Sequence, residues 1–282
     1  MISMLHPDFE KRKQEFERLA ELYYKKGYLK TAKEVQSFIE ILKLDEVPAD
    51  FLKRLDSLFD LFGTEFVSGF PIGQKYRKDC YEQTKVLVFE AIGRLKTDFP
   101  KSLYSIYPLL QRLNKAKATY GFIADELRGK TLKNENVIFH LYCYSYLIFV
   151  EGIFDELSRI LYFFAVVSKA NIPNTKDLEK LTVNYVVENC KTKLIVFQKW
   201  DEKRHIRNSI GHALAQYDPS NKTVHFEDYN PKTGKTTYDS GFIPFGRFIE
   251  MALELEDSLM AFTHIILLLK IYDLVVSTNP FA

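Results

Sequence analysis

Residues 203–218 read KRHIRNSIGHALAQYD. They gather Lys203, Arg204, His205, Arg207, Asn208 and His212 on one short segment. At about 100° per residue, Arg204, Asn208 and His212 fall within about 80° of one another on a helix, with Arg207 on the neighbouring flank. A guanidinium grips phosphate oxygens with a planar fork. An imidazole moves protons near neutral pH, and an amide can hold an imidazole or a phosphate in orientation. These are the parts needed to cleave RNA without a metal. The ribose 2′-OH attacks the adjacent phosphorus, an acid or base moves protons, and a cation stabilises the developing charge. The plain alternative is a solvated basic helix whose residues only cap or pair.

Working outward, the segment KTVHFEDY (222–229), the linker NPKTG and the segment KTTYDSGF (235–242) alternate apolar and polar residues around an Asn-, Pro- and Gly-containing turn. This pattern predicts a β-hairpin at 222–242. A long apolar helix over about Phe245–Val276 closes the chain. Upstream, apolar periodicity predicts a long helix over about Glu135–Ala170, ended by a turn at Asn171–Thr175 with Pro173. A second helix is expected over Lys176–Lys199, despite the poor helix formers Thr182, Val183, Val186 and Val187. The motif helix itself is expected over Asp201–Gln216.

The polar stretch RGKTLKNEN (128–136) marks a domain boundary. Before it, the spacing predicts helices over 8–26, Leu29–Leu44, 49–62, 77–97 and 102–128, with a Gly-rich loop, GTEFVSGFPIG, between the helices at 49–62 and 77–97. The expected organisation is therefore an all-helical N-terminal region, 1–130, followed by a helical domain, 135–276, that carries the hairpin.

Composition narrows the function. Lys and Arg total 39 against 37 Asp and Glu, so any RNA contact must be a local patch rather than a basic coat. The 23 Phe and 17 Tyr residues allow a large core. Cys80, Cys143 and Cys190 are far apart and odd in number, which predicts neither a disulfide framework nor a metal-ligand pair and suits a reducing cytoplasm. The opening residues lack an apolar signal core. The most apolar stretch, Val137–Val150, is shorter than the roughly 20 residues of a membrane span, and Glu151, Asp155, Glu156 and Arg159 follow it. No Gly-rich phosphate loop or nucleophile elbow is present. Acids and histidines do not recur at ligand spacing on one short element, so neither a metal nor a cofactor is expected. His140 and His264 sit among apolar residues and read as structural, and His225 has no evident partner.

The run Arg207-Asn208-Ser209-Ile210-Gly211-His212, in a short helix between a long helix pair and a closing helix, resembles the signature of the HEPN superfamily. The resemblance covers about residues 135–276; residues 1–130 match no family. It implies a mainly α, HEPN-like helical bundle with a β-hairpin insertion. It further implies a metal-independent endoribonuclease that leaves a 2′,3′-cyclic phosphate and acts as a toxin or antiviral defence effector. The implied partners are an RNA substrate, a second copy in a homodimer with a composite active site, and an antitoxin or other regulatory protein. Arg207, Asn208 and His212 would be catalytic, with Arg204 and His205 at the substrate. An acid on the long first helix would support Arg207, either Glu151 or Asp155. Those two acids share a stripe with Tyr144, Ser158 and Tyr162 that faces either solvent or a polar cleft. The alternative is a non-catalytic module of the same type that binds RNA, nucleotide or a protein.

Overall fold

The computed structural model describes residues 74–129, 134–190, 194–198 and 200–256, with a few isolated positions outside them. The helices read over Leu29–Leu44 and 49–62, the loop at 63–73 and the end of the closing helix lie outside the described residues; of 8–26, Gln14, Arg18 and Glu21 are helical. The chain divides into two compact units. One comprises Met1–Tyr104, Val167–Ile172 and Met260–Ala282; the other comprises Ser105–Val166 and Pro173–Leu259. The protein is mainly helical, with a small antiparallel sheet.

In the first unit, α1 (Gln74–Leu95) buries Tyr81, Thr84, Val88, Ala91 and Leu95, a spacing of three or four that makes one apolar face. Lys96, at φ 52, ends it. A short helix, α2 (Phe99–Ser102), follows a 3₁₀ turn.

The second unit opens with α3 (Tyr107–Gly129). It packs on a continuous helix, Glu135–Val166, made of α4 (Glu135–Ile148), a π segment (Phe149–Phe154) and α5 (Asp155–Val166). Asn134 starts this helix, its side chain accepting from the backbone NH groups of Asn136 and Val137. The helix is long and apolar enough to cross a membrane by length and composition. Here it is packed inside the unit, with Phe149, Ile153, Phe154, Leu157, Ile160, Phe163 and Phe164 all buried. Its π segment contains no proline. Gly152 lies there at a close approach, where an added Cβ would stand 3.2 Å from the Cβ of Ala116 on α3.

The helix expected over Lys176–Lys199 is broken. α6 (Thr175–Glu179) and α7 (Val183–Cys190) are separate, and a 3₁₀ turn (Ile195–Phe197) follows. The break has a cause in the contacts around it. Arg159 of α5 donates its Nε–H to the Leu181 carbonyl at 3.1 Å, and the Thr182 hydroxyl accepts from the NH of Tyr185 at 3.2 Å. Both contacts satisfy backbone groups that a continuous helix would use. Nearby, Arg112 of α3 bridges Glu156 (2.5 Å) and Glu179 (2.7 Å).

The motif helix, α8 (Trp200–Gly211), stops earlier than its pattern suggests. After it come β1 (Gln216–Asp218), β2 (Thr223–Tyr229) and β3 (Thr236–Pro244), paired in that order. The hairpin at 222–242 is thus present, with its turn at Asn230–Gly234 and Gly234 at φ 64. A third strand joins it: β1 takes Gln216, read as the last residue of the motif helix, and the two residues after it. Residues 245–256 are helical and bring Phe248 against Phe226 (ring centroids 4.9 Å) and Tyr146 (5.6 Å). Cys80, Cys143 and Cys190 are all buried, and burial pushes the Cys143 thiol up to about 12.

The contact at Gly152 yields a stability test. Gly152→Leu would force α3 and the π segment apart and should destabilise the protein by about 1–3 kcal/mol in urea unfolding. An unchanged midpoint would show that the two helices do not approach here.

Candidate functional site

The motif helix is held by its own buried stripe. Lys203, Ile206 and Ser209 are buried, spaced by three. Lys203 is a clamp rather than a ligand-binding group: its ammonium donates to the carbonyls of Gln198 (2.8 Å) and Val196 (3.2 Å). Its own carbonyl accepts from the Tyr146 hydroxyl. The Ser209 hydroxyl accepts from the backbone NH of Glu227 at 3.0 Å, which ties α8 to β2. At the helix start, Trp200 stacks on Phe154 of the π segment, with ring centroids 4.9 Å apart. So α8 lies with the long helix on one flank and β2 on the other.

On the sheet side, three polar groups meet. Asp228 is buried on β2. Its carboxylate accepts from Asn208 Nδ2 at 2.8 Å and lies 2.7 Å from His205 Nδ1. Its other oxygen accepts from the backbone NH of Tyr229. Burial would raise this carboxyl, but the hydrogen bonds from His205 and Asn208 outweigh it and hold it below its ordinary range. The His205 ring lies flat on Tyr238, with centroids 5.0 Å apart and planes 5° from parallel. Arg204 Nη2 stands 3.3 Å from His205 Nε2 and 3.5 Å from Asp201. Asn208 therefore orients its neighbours through Asp228.

On the opposite flank, Arg207 Nη1 pairs with Glu151 Oε1 at 2.9 Å. Glu151 belongs to the π segment, a distortion frequent at functional positions. The Arg207 Nε is buried without a hydrogen-bond partner. Asp155 is turned elsewhere: it pairs with Arg159 at 2.6 Å, and burial raises its carboxyl against the pull of that arginine. The stripe of Glu151, Asp155, Tyr144, Ser158 and Tyr162 does not share one surrounding. Glu151 and Tyr144 are exposed and Ser158 is buried.

His212 is the C-cap of the helix, its backbone NH still donating to the Asn208 carbonyl at 2.8 Å. The NH of Ala213 donates to the Ile210 carbonyl and that of Leu214 to the Ser209 carbonyl, with Ala213 at φ 57. This paired closure is a Schellman motif with alanine where glycine is usual. It ends the helix that the sequence pattern carried to Gln216. His212 is exposed and its ring rests against Tyr229, centroids 5.9 Å apart. Among the described residues, no hydrogen bond joins Arg207 to His212.

Three further corrections concern single residues. Asp228 was not singled out in the sequence, although a signal exists: it shares the strand phase of Val224 and Phe226, both buried. An acid in the inward phase of a strand needs buried donors. His225 has a partner after all, Asp239 Oδ1 at 2.8 Å, and stacks on Phe242. His140 is exposed rather than enclosed among apolar groups, and His264 lies outside the described residues. Among the described residues, no three His, Cys, Asp or Glu side chains are grouped to hold a metal ion.

Compared with models of protein families, with curated proteins and with solved structures, the chain matches none.

Two substitutions test this geometry. Ala213→Gly relieves a left-handed alanine and should stabilise by about 0.5–1 kcal/mol in thermal or urea unfolding. Asp228→Ala strands the donors of His205 and Asn208 and should cost about 1–3 kcal/mol at pH 7. The folded carboxyl is depressed, so its contribution is present above the unfolded value and is lost as pH falls through the folded value. Parent and variant should therefore converge in acid, and a gap that persists there would refute the assignment.

Proposed function

We propose that the chain is a metal-independent endoribonuclease of HEPN type. The reading rests on a helical bundle in which Arg207, Asn208 and His212 sit on a short helix beside a long one, with a hairpin directly after. The observation that supports it most is the Arg207–Glu151 pair at 2.9 Å. Glu151 presents the motif arginine from the long helix and leaves its remaining N–H groups for an incoming phosphate. The Arg207 side chain is 33% exposed, so a phosphate can approach it from solvent. In this reading Arg207 stabilises charge on the phosphate and His212 exchanges a proton with it, while Arg204 adds positive charge beside His205. The 2′-OH attacks the adjacent phosphorus and leaves a 2′,3′-cyclic phosphate. We place the protein in the cytoplasm as a toxin or antiviral effector, working as a homodimer under an antitoxin or regulatory partner.

A second reading keeps the fold and drops the chemistry, as a module that binds RNA, nucleotide or protein. The observation in its favour is that Glu151 already neutralises Arg207, and no hydrogen bond steers the His212 ring among the described residues.

Purified protein incubated with mixed RNA in EDTA separates the two. Cleavage with a cyclic phosphate end is expected. His212→Ala and Arg207→Ala should each lower the rate by about 10²–10⁴-fold, and Arg207→Lys should rescue poorly because an ammonium lacks the fork. Parental cleavage by His212→Ala, or activity that needs an added divalent ion, would defeat the assignment. Light scattering at micromolar concentration should give the mass of two chains; a fully active monomer would remove the homodimer from the proposal.

A further inference from the structure

Cleavage by 2′-OH attack needs a proton acceptor and a proton donor, and His212 supplies one imidazole. A second imidazole, His205, lies two helical turns earlier on the same side of α8, within about 20° of His212 around the axis and about 10 Å along it. The two meet consecutive residues of β2: His205 contacts Asp228, and His212 contacts Tyr229. The strand register shifts between Asp228 and Tyr229, which loosens the strict alternation of a regular strand.

The surroundings of His205 define its protonation. An ionised carboxylate only accepts, so the Nδ1 that stands 2.7 Å from Asp228 carries the hydrogen. A guanidinium only donates, so the Nε2 that faces Arg204 presents its lone pair. Stacking on Tyr238 fixes the plane of the ring. The charged or titratable groups around it are thus Asp228 from β2, Tyr238 from β3 and Arg204 from its own helix. Asp228, Asn208 and Tyr238 hold the ring, and the basic nitrogen stands beside a partly exposed cation that suits a phosphate.

We propose that His205 is the second proton-transfer residue of the site, with Asp228 as its positioning residue; this rests on the ribonuclease reading above. A phosphate drawn to Arg204 replaces the guanidinium at Nε2 and brings the ribose hydroxyl there. Nε2 takes the 2′-OH proton as the O2′–P bond forms. The P–O5′ bond breaks, and protonated His212 gives its proton to O5′. The products are a 2′,3′-cyclic phosphate and a free 5′-OH. His205 is left protonated and His212 neutral, and both are reset through solvent.

The test joins a readout of the resting protein to one of turnover. Long-range ¹H–¹⁵N spectra of the full chain at pH 7 should show His205 as the Nδ1–H tautomer, and Asp228→Asn should shift population toward Nε2–H. Cleavage of mixed RNA by the parent should be bell-shaped in pH. His205→Gln should lower the rate by about 10²–10⁴-fold and remove the acidic limb, whereas His212→Ala should remove the alkaline limb. Added imidazole should restore part of the activity of His205→Ala, which a purely structural role would not allow. An Nε2–H tautomer in the parent overturns the proposal. So does a folded His205→Gln variant that cuts at the parental rate with both limbs, and in that case the ribonuclease reading stands. If the parent cuts no RNA, that reading fails and this proposal fails with it. Should His205→Gln not fold, the tautomer and the imidazole rescue still decide.

Discussion

Glu135–Val166 carries Glu151, Asp155 and Glu156 within about a turn and a half; Glu156 is buried and needs its cation, and each of the three has one. Each acid draws a different element toward the helix or stiffens it. Glu156 fixes α3 through Arg112, and the same guanidinium reaches Glu179 on α6. Asp155 holds Arg159, whose Nε–H takes the Leu181 carbonyl and so separates α6 from α7. Glu151 receives Arg207 and with it the motif helix. The arrangement of the second unit follows from pairing these charges around a core of aromatic rings, Phe154 on Trp200 foremost.

The candidate site divides across the two flanks of α8. One flank offers a guanidinium held by an exposed acid of the π segment. The other offers an imidazole and an amide held by a buried acid of the sheet. The two acids differ in kind. Glu151 is accessible, so a competing anion can reach its partner; Asp228 is enclosed and stays with its donors. One side is built for exchange, the other for permanence.

Much of this was legible in the residues. Helical periodicity predicted α1, α3 and the long helix to within a few positions, and alternation around NPKTG predicted the hairpin. The failures have physical sources. The break at Leu181 depends on Arg159, more than 20 residues upstream in the chain, which local propensity cannot register. The end of α8 at Gly211 depends on an alanine in a conformation that alanine seldom adopts, so no glycine announced it. β1 exists because β2 offers an edge to pair with, and three residues, Gln216–Asp218, are too few to show alternation. Asp228 was readable from its strand phase, but the phase matters only once the hairpin is known to pack on a helix.

The π segment has a consequence for how this chain can vary. A π turn closes bonds one residue farther along than an α turn, so it stores one extra residue in the helix. Loss of a single residue from Phe149–Phe154 would let the helix run as uninterrupted α with its two ends little turned against each other, because the wider π turn takes up the extra residue. A residue lost from α4 or α5 would instead rotate everything beyond it by about 100°. The Arg112–Glu156 pair of α5 would then be kept only if Tyr146 and Phe139 left the sheet side, or the reverse. The π segment is therefore where this helix can change length by one residue without turning its two packing faces apart.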